Sequence, residues 1–275
     1  MNLLIAALIV VGAAVVAAVA LVLVHRKAKR PVFADSGRGR PMITVTGTIF
    51  AVVLAFVIFA AFETSDGART GAQSEAAAVL DMGRTAAFFP PTPRDQLRAD
   101  LTCYGRAVVG QEWPAMRNGH ASPLVEHWVT AYGAVVGRLD PRSPLEQAGL
   151  QEFLNEAATR TAGRLQRLAE DTPSVTAPLW LALVLGGCIA VALQLAMADP
   201  RERASIQALM VAGLASVVAA SLLVIYFLDH PYQSPIGGIQ PTAMSQTLVL
   251  MTGLEPGLRP GCSQSGRRLE RPSAP

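Results

Sequence analysis

Charged residues and cysteines are both scarce in this sequence, and each shortage excludes a class of protein. Only 16% of the 275 residues are charged, against roughly 25% in an average soluble domain, which disfavours a single soluble domain. Three cysteines are too few for a small disulfide-rich scaffold, and a net charge of +3 is too small to indicate nucleic-acid binding. Because 51% of the residues are hydrophobic, intrinsic disorder is excluded as well. The composition predicts an integral membrane protein embedded in a lipid bilayer.

Four uninterrupted apolar stretches contain no charged residue at all. Each has 20 to 23 residues, and about 20 helical residues cross the ~30 Å hydrocarbon core of a bilayer. Backbone polar groups find no water in lipid, so these stretches should be helices. They cover residues 3–24, 43–62, 177–198 and 206–228. The sequence therefore predicts an all-α integral membrane protein with four transmembrane helices, arranged as two hairpins that flank a helical insert.

The hairpins occupy residues 1–62 and 177–228, and the insert occupies residues 63–176. Prolines that follow Ser or Thr mark helix starts in the insert, and Ser143-Pro144-Leu145-Glu146 has the pattern of a capping box. Apolar residues then recur at helical spacing, which predicts an amphipathic helix with an apolar stripe. The stripe consists of Leu150, Leu154, Ala158, Thr161, Leu165 and Leu168. Residues 229–252 should form a turn and a short helix, and residues 253–275 a disordered tail.

Basic residues predict how the chain is oriented in the cell membrane. The loop of residues 25–42 holds six Lys or Arg, and the loop of residues 199–205 holds two. The segments on the opposite side offer four near the membrane, namely Arg69, Arg160, Arg164 and Arg167. Since cytoplasmic loops carry the excess of basic residues, both short loops should be cytoplasmic. The N-terminus and the helical insert are then expected outside.

No recognisable constellation of catalytic or metal-ligating residues is present, so we expect no enzyme activity, no metal site and no cofactor. His120 and His127, the latter beside Glu126, are interpreted as solvated residues rather than metal ligands. Cys103 could pair with Cys262 if the insert lies outside the cell, although a cysteine in a disordered tail is a poor disulfide partner.

One stripe on the second span ends in a carboxylate at the membrane border. Val52, Phe56, Phe59 and Glu63 follow each other at helical spacing. The stripe either lines the apolar neck of a pore or makes ordinary contacts with lipid or neighbouring helices, and the sequence leaves both readings open. No ionisable residue lies deep in any span, which disfavours a proton-driven or cation-driven carrier.

Several short motifs occur once each, in a defined order relative to the spans. Glu75 opens Glu-Ala-Ala-Ala-Val-Leu after the second span; Tyr104 and Glu112-Trp113-Pro114 follow in the insert; Asp229-His230-Pro231-Tyr232 closes the fourth span. In this order, and with two spans on each side of a helical insert, the chain resembles the bestrophin-like family of bacterial membrane proteins over residues 1–252. It departs from that pattern after Pro231, where Tyr232 and an extra proline, Pro235, stand.

The resemblance implies a distant kinship with bestrophins, which are pentameric anion channels whose second span lines the pore. Phe56 and Phe59 would then be the neck residues. Bestrophins keep the N-terminus and the central helices in the cytosol, which opposes the orientation predicted from the basic residues. The leading hypothesis is a channel-like homo-oligomer for anions. The alternative is a non-conducting membrane scaffold or sensor whose helical insert binds a partner.

Three acidic residues of these motifs, Glu75, Glu112 and Asp229, admit two interpretations. In the structural interpretation they pair with Arg84, with Arg106 or with helix N-termini. In the functional interpretation they lie at the mouth of a vestibule.

Overall fold

A computed structural model of the protein describes residues 3–27, 36–169, 174–198, 203–232 and 238–269. The helices are α1 (Leu3–Lys27), α2 (Ser36–Thr85), α3 (Pro91–Ala107), α4 (Trp113–Met116), α5 (Pro123–Val136), α6 (Pro144–Ala169), α7 (Ala177–Ala196), α8 (Ala204–Asp229) and α9 (Thr242–Leu254). A 3-10 turn (Ala86–Phe88) precedes α3, and a π-helical turn (Val108–Glu112) links α3 to α4. Within the described ranges the one β-bridge joins Cys262 and Arg268.

Four helices are long and apolar enough to cross a membrane. Three of them contain a predicted span completely, and α7 contains the third predicted span except its last two residues, because the helix ends at Ala196. The protein is thus an all-α membrane protein. The chain divides into two compact units. The membrane unit comprises residues 1–65 and 173–237, and the insert unit comprises residues 66–172 and 238–275.

The membrane unit is held together by two small apolar clusters. Ala17 and Leu21 of α1 pack against Val211 and Ala215 of α8. The second cluster joins α2, α7 and α8 through Val57, Ala61, Val175, Leu183 and Ile225. The two adjacent glycines of α7 allow close packing, because a Cβ on Gly186 would lie 2.6 Å from the ring of Phe50. Most of the remaining surface of these helices is apolar and exposed, as lipid-facing surface requires.

Helix α2 does not end where the hydrophobic run ends. The sequence places the end of the second span at Phe62, but the helix continues to Thr85. Residues 63–85 contain no proline and are rich in alanine, so nothing interrupts helix propagation until Pro90. The first polar turns after the second span are therefore a direct helical extension of that span.

The predicted helix over the insert's leucine repeat is confirmed as α6, but its apolar stripe is not its buried face. Leu154 and Leu165 are 51% and 60% exposed, whereas Arg160 and Arg167 are buried. Arg167 lies inside because Glu75 of α2 and Glu112 of the π-turn neutralise it there, and Arg160 is buried against Tyr104 and Tyr132. The capping box at its start is confirmed: the amide of Glu146 donates to Ser143 Oγ at 3.1 Å.

The predicted disordered tail is wrong for the part of it that the structure describes. Residues 255–269 fold against α3 and α5, and Cys262 forms a disulfide with Cys103. The indole of Trp128 donates to the carbonyl of Gly266 at 2.8 Å, and Arg106 donates to the carbonyl of Cys262 at 3.2 Å. Gly266 has a φ of 77° and lies so close to Ala107 that no Cβ would fit. Residues 270–275 of the tail lie outside the described residues.

Candidate functional site

The stripe predicted on the second span keeps its side chains unburied. Phe56 and Phe59 are 71% and 58% exposed, Val52 is 50% exposed, and Glu63 is exposed as well. The opposite face of the same helix supplies Val57 and Ala61 to the core of the membrane unit. Helix α2 therefore has one packed face and one free apolar face that ends in a carboxylate.

Four of the motif residues meet in the insert unit around one buried arginine, Arg167 of α6. Its Nε donates to Glu75 Oε2 at 2.6 Å, and its Nη2 donates to Glu112 Oε2 at 2.5 Å. The hydroxyl of Tyr104 donates to Glu75 Oε1 at 2.6 Å. The guanidinium also lies 5.0 Å from the ring centre of Trp113, a cation–π distance. All of these side chains are buried, so the charges neutralise each other away from water.

A second arginine extends this cluster toward the surface. Arg164 donates to Glu112 Oε1 at 2.8 Å and to the exposed Glu126 at 2.9 Å. Burial disfavours the charged form of Glu112, but the hydrogen bond from Arg164 and the charge of Arg167 outweigh it, so its pKa is lowered. The carboxylate therefore stays charged at neutral pH.

Arg160 lies among phenols rather than carboxylates. It is 4% exposed, donates to the hydroxyl of Tyr132, and stands 5.2 Å from the ring centre of Tyr104 and 5.6 Å from that of Tyr132. Burial raises the pKa of both tyrosines, and the charge of Glu75 raises that of Tyr104 further. Both phenols remain neutral, and the cation is solvated by the two ring faces and by the hydroxyl of Tyr132.

Helices α2 and α6 approach closely enough to form these ion pairs because glycines stand at their crossing. A Cβ on Gly71 would lie 2.8 Å from the carbonyl of Gly163, and a Cβ on Gly163 would lie 2.7 Å from the amide of Glu75. The sequence alone already indicates this close contact, because Gly163 stands on the same helical face as Arg160 and Arg167. The spacing of the apolar residues predicts the helix but does not indicate that its glycine-arginine face makes this contact.

The structural interpretation of Glu75 and Glu112 is supported, but with other partners than those expected. Arg84 pairs with Asp81 on the surface, and Arg106 binds the carbonyl of Cys262. Neither acid lies at an open surface, since both are fully buried.

The remaining motif residues are separate from this cluster. Asp229 belongs to the membrane unit, where its Oδ1 accepts the amides of Ser174 and Val175 at 2.7 and 2.9 Å, just ahead of α7. Pro231 is buried in the turn after α8. Pro114 is exposed, although the neighbouring Trp113 is buried and donates to the carbonyl of Ile239 at 3.1 Å.

Across the ranges that the structure describes, no three His, Cys, Asp or Glu side chains are grouped as a metal site would require. His120 and His127 are both exposed, and the ring of His127 lies edge-on to Trp128.

Comparison with known proteins adds a family to this picture. No curated protein matches the chain, and no solved structure matches it. The bestrophin-like domain matches residues 6–244, which include most of the first span, the other three spans, the Glu75–Arg167–Glu112 cluster and the start of α9. The chain belongs to the bestrophin-like family.

Proposed function

We propose that the protein is a channel-like homo-oligomer in which α2 lines a pore that passes anions. The observation that carries this proposal is the free face of α2. Val52, Phe56 and Phe59 remain unburied in the single chain, while the opposite face of the helix is packed. In an oligomer this face would surround the symmetry axis and form an apolar neck, and apolar constrictions gate channels by dewetting.

The insert unit supplies a surface through which copies of the chain could associate. Leu154, Ala158, Thr161 and Leu165 form an exposed seam on α6, with spacings of four, three and four residues. This pattern is that of a helix seam that packs against another helix. Exposed leucines in a charged, water-facing segment favour a protein partner, and a second copy of the chain brings the same seam.

The proposal that the pore passes anions follows from the resemblance to bestrophins. The charge of one residue argues against it. Glu63 ends the stripe with an exposed carboxylate, and a ring of carboxylates at a pore mouth attracts cations. If the pore passes anions, neutralising this ring in Glu63→Gln should raise the anion flux. Chloride flux from liposomes containing the purified protein measures this effect. Absence of flux at all tested pH values and calcium concentrations would contradict the channel, and a Glu63→Gln variant that lowers anion flux would contradict the anion assignment.

The insert unit is proposed to lie on the oxidising side of the cell membrane. The Cys103–Cys262 disulfide supports this orientation, since cytosolic thiols are kept reduced. It agrees with the basic loops at residues 25–42 and 199–205. In spheroplasts of a Cys188→Ser variant, an impermeant reductant followed by an impermeant maleimide should label Cys103 and Cys262. Labelling that needs lysis, but no reductant, would contradict the orientation.

A further inference from the structure

The insert unit contains a cavity that takes no part in the ion-pair cluster or in the proposed pore. It lies between the start of α3 and the α5–α6 loop, and its volume is about 540 Å³. Sites for small molecules usually have volumes of ~300–1,000 Å³. The cavity is therefore large enough for a small organic ligand.

Much of the wall of this cavity is apolar and rigid. Phe89, Val135 and Leu139 contribute apolar side chains. Pro90, Pro93 and Pro141 also line it, and a proline ring restricts its own backbone to one φ value. A wall of this kind is formed before a ligand arrives, so binding costs little conformational entropy.

Three charged side chains line the cavity, and they differ in the hydrogen bonds that they make within the described part of the chain. Asp140 accepts from Arg142 Nε at 3.0 Å, and Glu146 accepts the amides of Arg142 and Ser143 at 2.7 and 3.4 Å. The guanidinium of Arg138, in contrast, forms no ion pair with any described residue. The Arg138 guanidinium is therefore the charged group of the wall whose hydrogen-bond donors remain available to a ligand, whereas both carboxylates already accept hydrogen bonds. An arginine can hold a carboxylate through two parallel hydrogen bonds.

We propose that this cavity binds a small organic carboxylate, with its apolar body against the proline walls and its carboxylate on Arg138. Thr92 and Gln96 lie in the same wall and offer a hydroxyl and an amide for the rest of the ligand. The site would make the insert unit a receptor for a small anionic metabolite. It is independent of whether α2 forms a pore.

The test is fluorine NMR on the full-length protein in nanodiscs, with 4-(trifluoromethyl)benzoate and its neutral amide as probes and empty nanodiscs as the blank. The benzoate should bind more tightly than the amide. Arg138→Gln should weaken benzoate binding about tenfold, the loss expected for a charge-assisted hydrogen bond, and leave amide binding unchanged. Arg117→Gln is the matched control, because Arg117 is exposed and does not line the cavity.

A cavity-filling variant separates this site from binding elsewhere. Gln96 is exposed on α3, so Gln96→Trp should fill the cavity without disturbing the core, and it should abolish binding of both probes. An unchanged midpoint of thermal unfolding shows that each variant is folded. The proposal is overturned by benzoate signals no larger than those of empty nanodiscs, by equal losses in Arg138→Gln and Arg117→Gln, or by full binding in Gln96→Trp.

Discussion

Arg167 and Glu75, which are 92 positions apart in the sequence, form a fully buried ion pair in which Nε and Oε2 are 2.6 Å apart. The pair joins α6 to the extension of α2. Burial disfavours the charge of Arg167, but Glu75 and Glu112 outweigh it and raise its pKa. The guanidinium of Arg167 therefore keeps its charge despite its burial.

Removing the arginine should destabilise the insert unit severely. In Arg167→Met the buried Glu75 loses its counterion and Glu112 keeps only Arg164. Breaking a comparable buried pair costs about 3–5 kcal/mol. Chemical denaturation followed by tryptophan fluorescence reports the change, because Trp113 and Trp128 are buried in this unit. The matched control is Arg142→Met, which removes an exposed ion pair with Asp140 and should cost less than about 1 kcal/mol. Equal effects of the two substitutions would contradict the role of the buried cluster.

Asp100 of α3 should make the stability of the protein depend on pH. Burial raises its pKa from 3.8 to about 6. Folding therefore penalises the charged form: the penalty is absent below pH 3.8, grows up to about pH 6 and stays constant above. Asp100→Asn should stabilise the protein at pH 8 by about 1 kcal/mol after solvent screening, and the gain should vanish near pH 3.5. Thermal unfolding at both pH values checks this, with the exposed Asp140→Asn as control. A stability gain of equal size at both pH values would contradict the raised pKa of Asp100.

The Cys103–Cys262 disulfide should be what holds residues 255–269 in place. It joins two cysteines that are 159 positions apart in the sequence. Loss of such a cross-link lowers the free energy of unfolding by about 2–5 kcal/mol. Cys262→Ser should therefore speed tryptic cleavage at Arg267 and Arg268, measured by mass spectrometry of timed digests. Cys188→Ser removes the free cysteine of α7 and should change nothing. Equal cleavage rates in the wild type and Cys262→Ser would contradict this role of the disulfide. They would show that the hydrogen bonds of Trp128 and Arg106 are enough to hold residues 255–269 in place.

The seam on α6 should hold copies of the chain together. Leu154→Gln combined with Leu165→Gln should lower the mass of the protein–detergent complex in light scattering, while the unfolding midpoint stays unchanged because both leucines are exposed. Leu145→Gln is the control, since Leu145 is also 60% exposed but lies half a turn away from the seam on the helix. An oligomer that survives the double substitution would exclude the seam as the interface.

The sequence predicts the spans well because the transfer of 20 apolar residues into lipid is a local property of those residues. The buried face of α6 was not predictable by the same rule. Arg167 is inside only because Glu75 and Glu112 are there to meet it, and both come from distant parts of the chain. Composition alone indicates the opposite face, since leucine is usually buried and arginine usually exposed.

The folded tail was missed for a similar reason. Residues 255–269 contain glycine, proline and arginine in the proportions of a disordered segment. Their order comes from single contacts, namely the disulfide to Cys103, the hydrogen bond from Trp128 and the close fit of Gly266 against Ala107. The possible pairing of Cys103 with Cys262 was the one indication in the sequence, and the structure confirms it.

The most direct test of the account is cysteine accessibility along α2 during ion conduction. In a Cys188→Ser background, cysteine replaces Phe56, Phe59 or, as the control, Phe50, whose ring packs against Gly186 on α7. A negatively charged thiosulfonate is added while anion current is recorded in planar bilayers. Modification should change the current at Phe56→Cys and Phe59→Cys and leave it unchanged at Phe50→Cys. Currents that are unaffected at all three positions, or the absence of any current, would contradict a pore lined by α2.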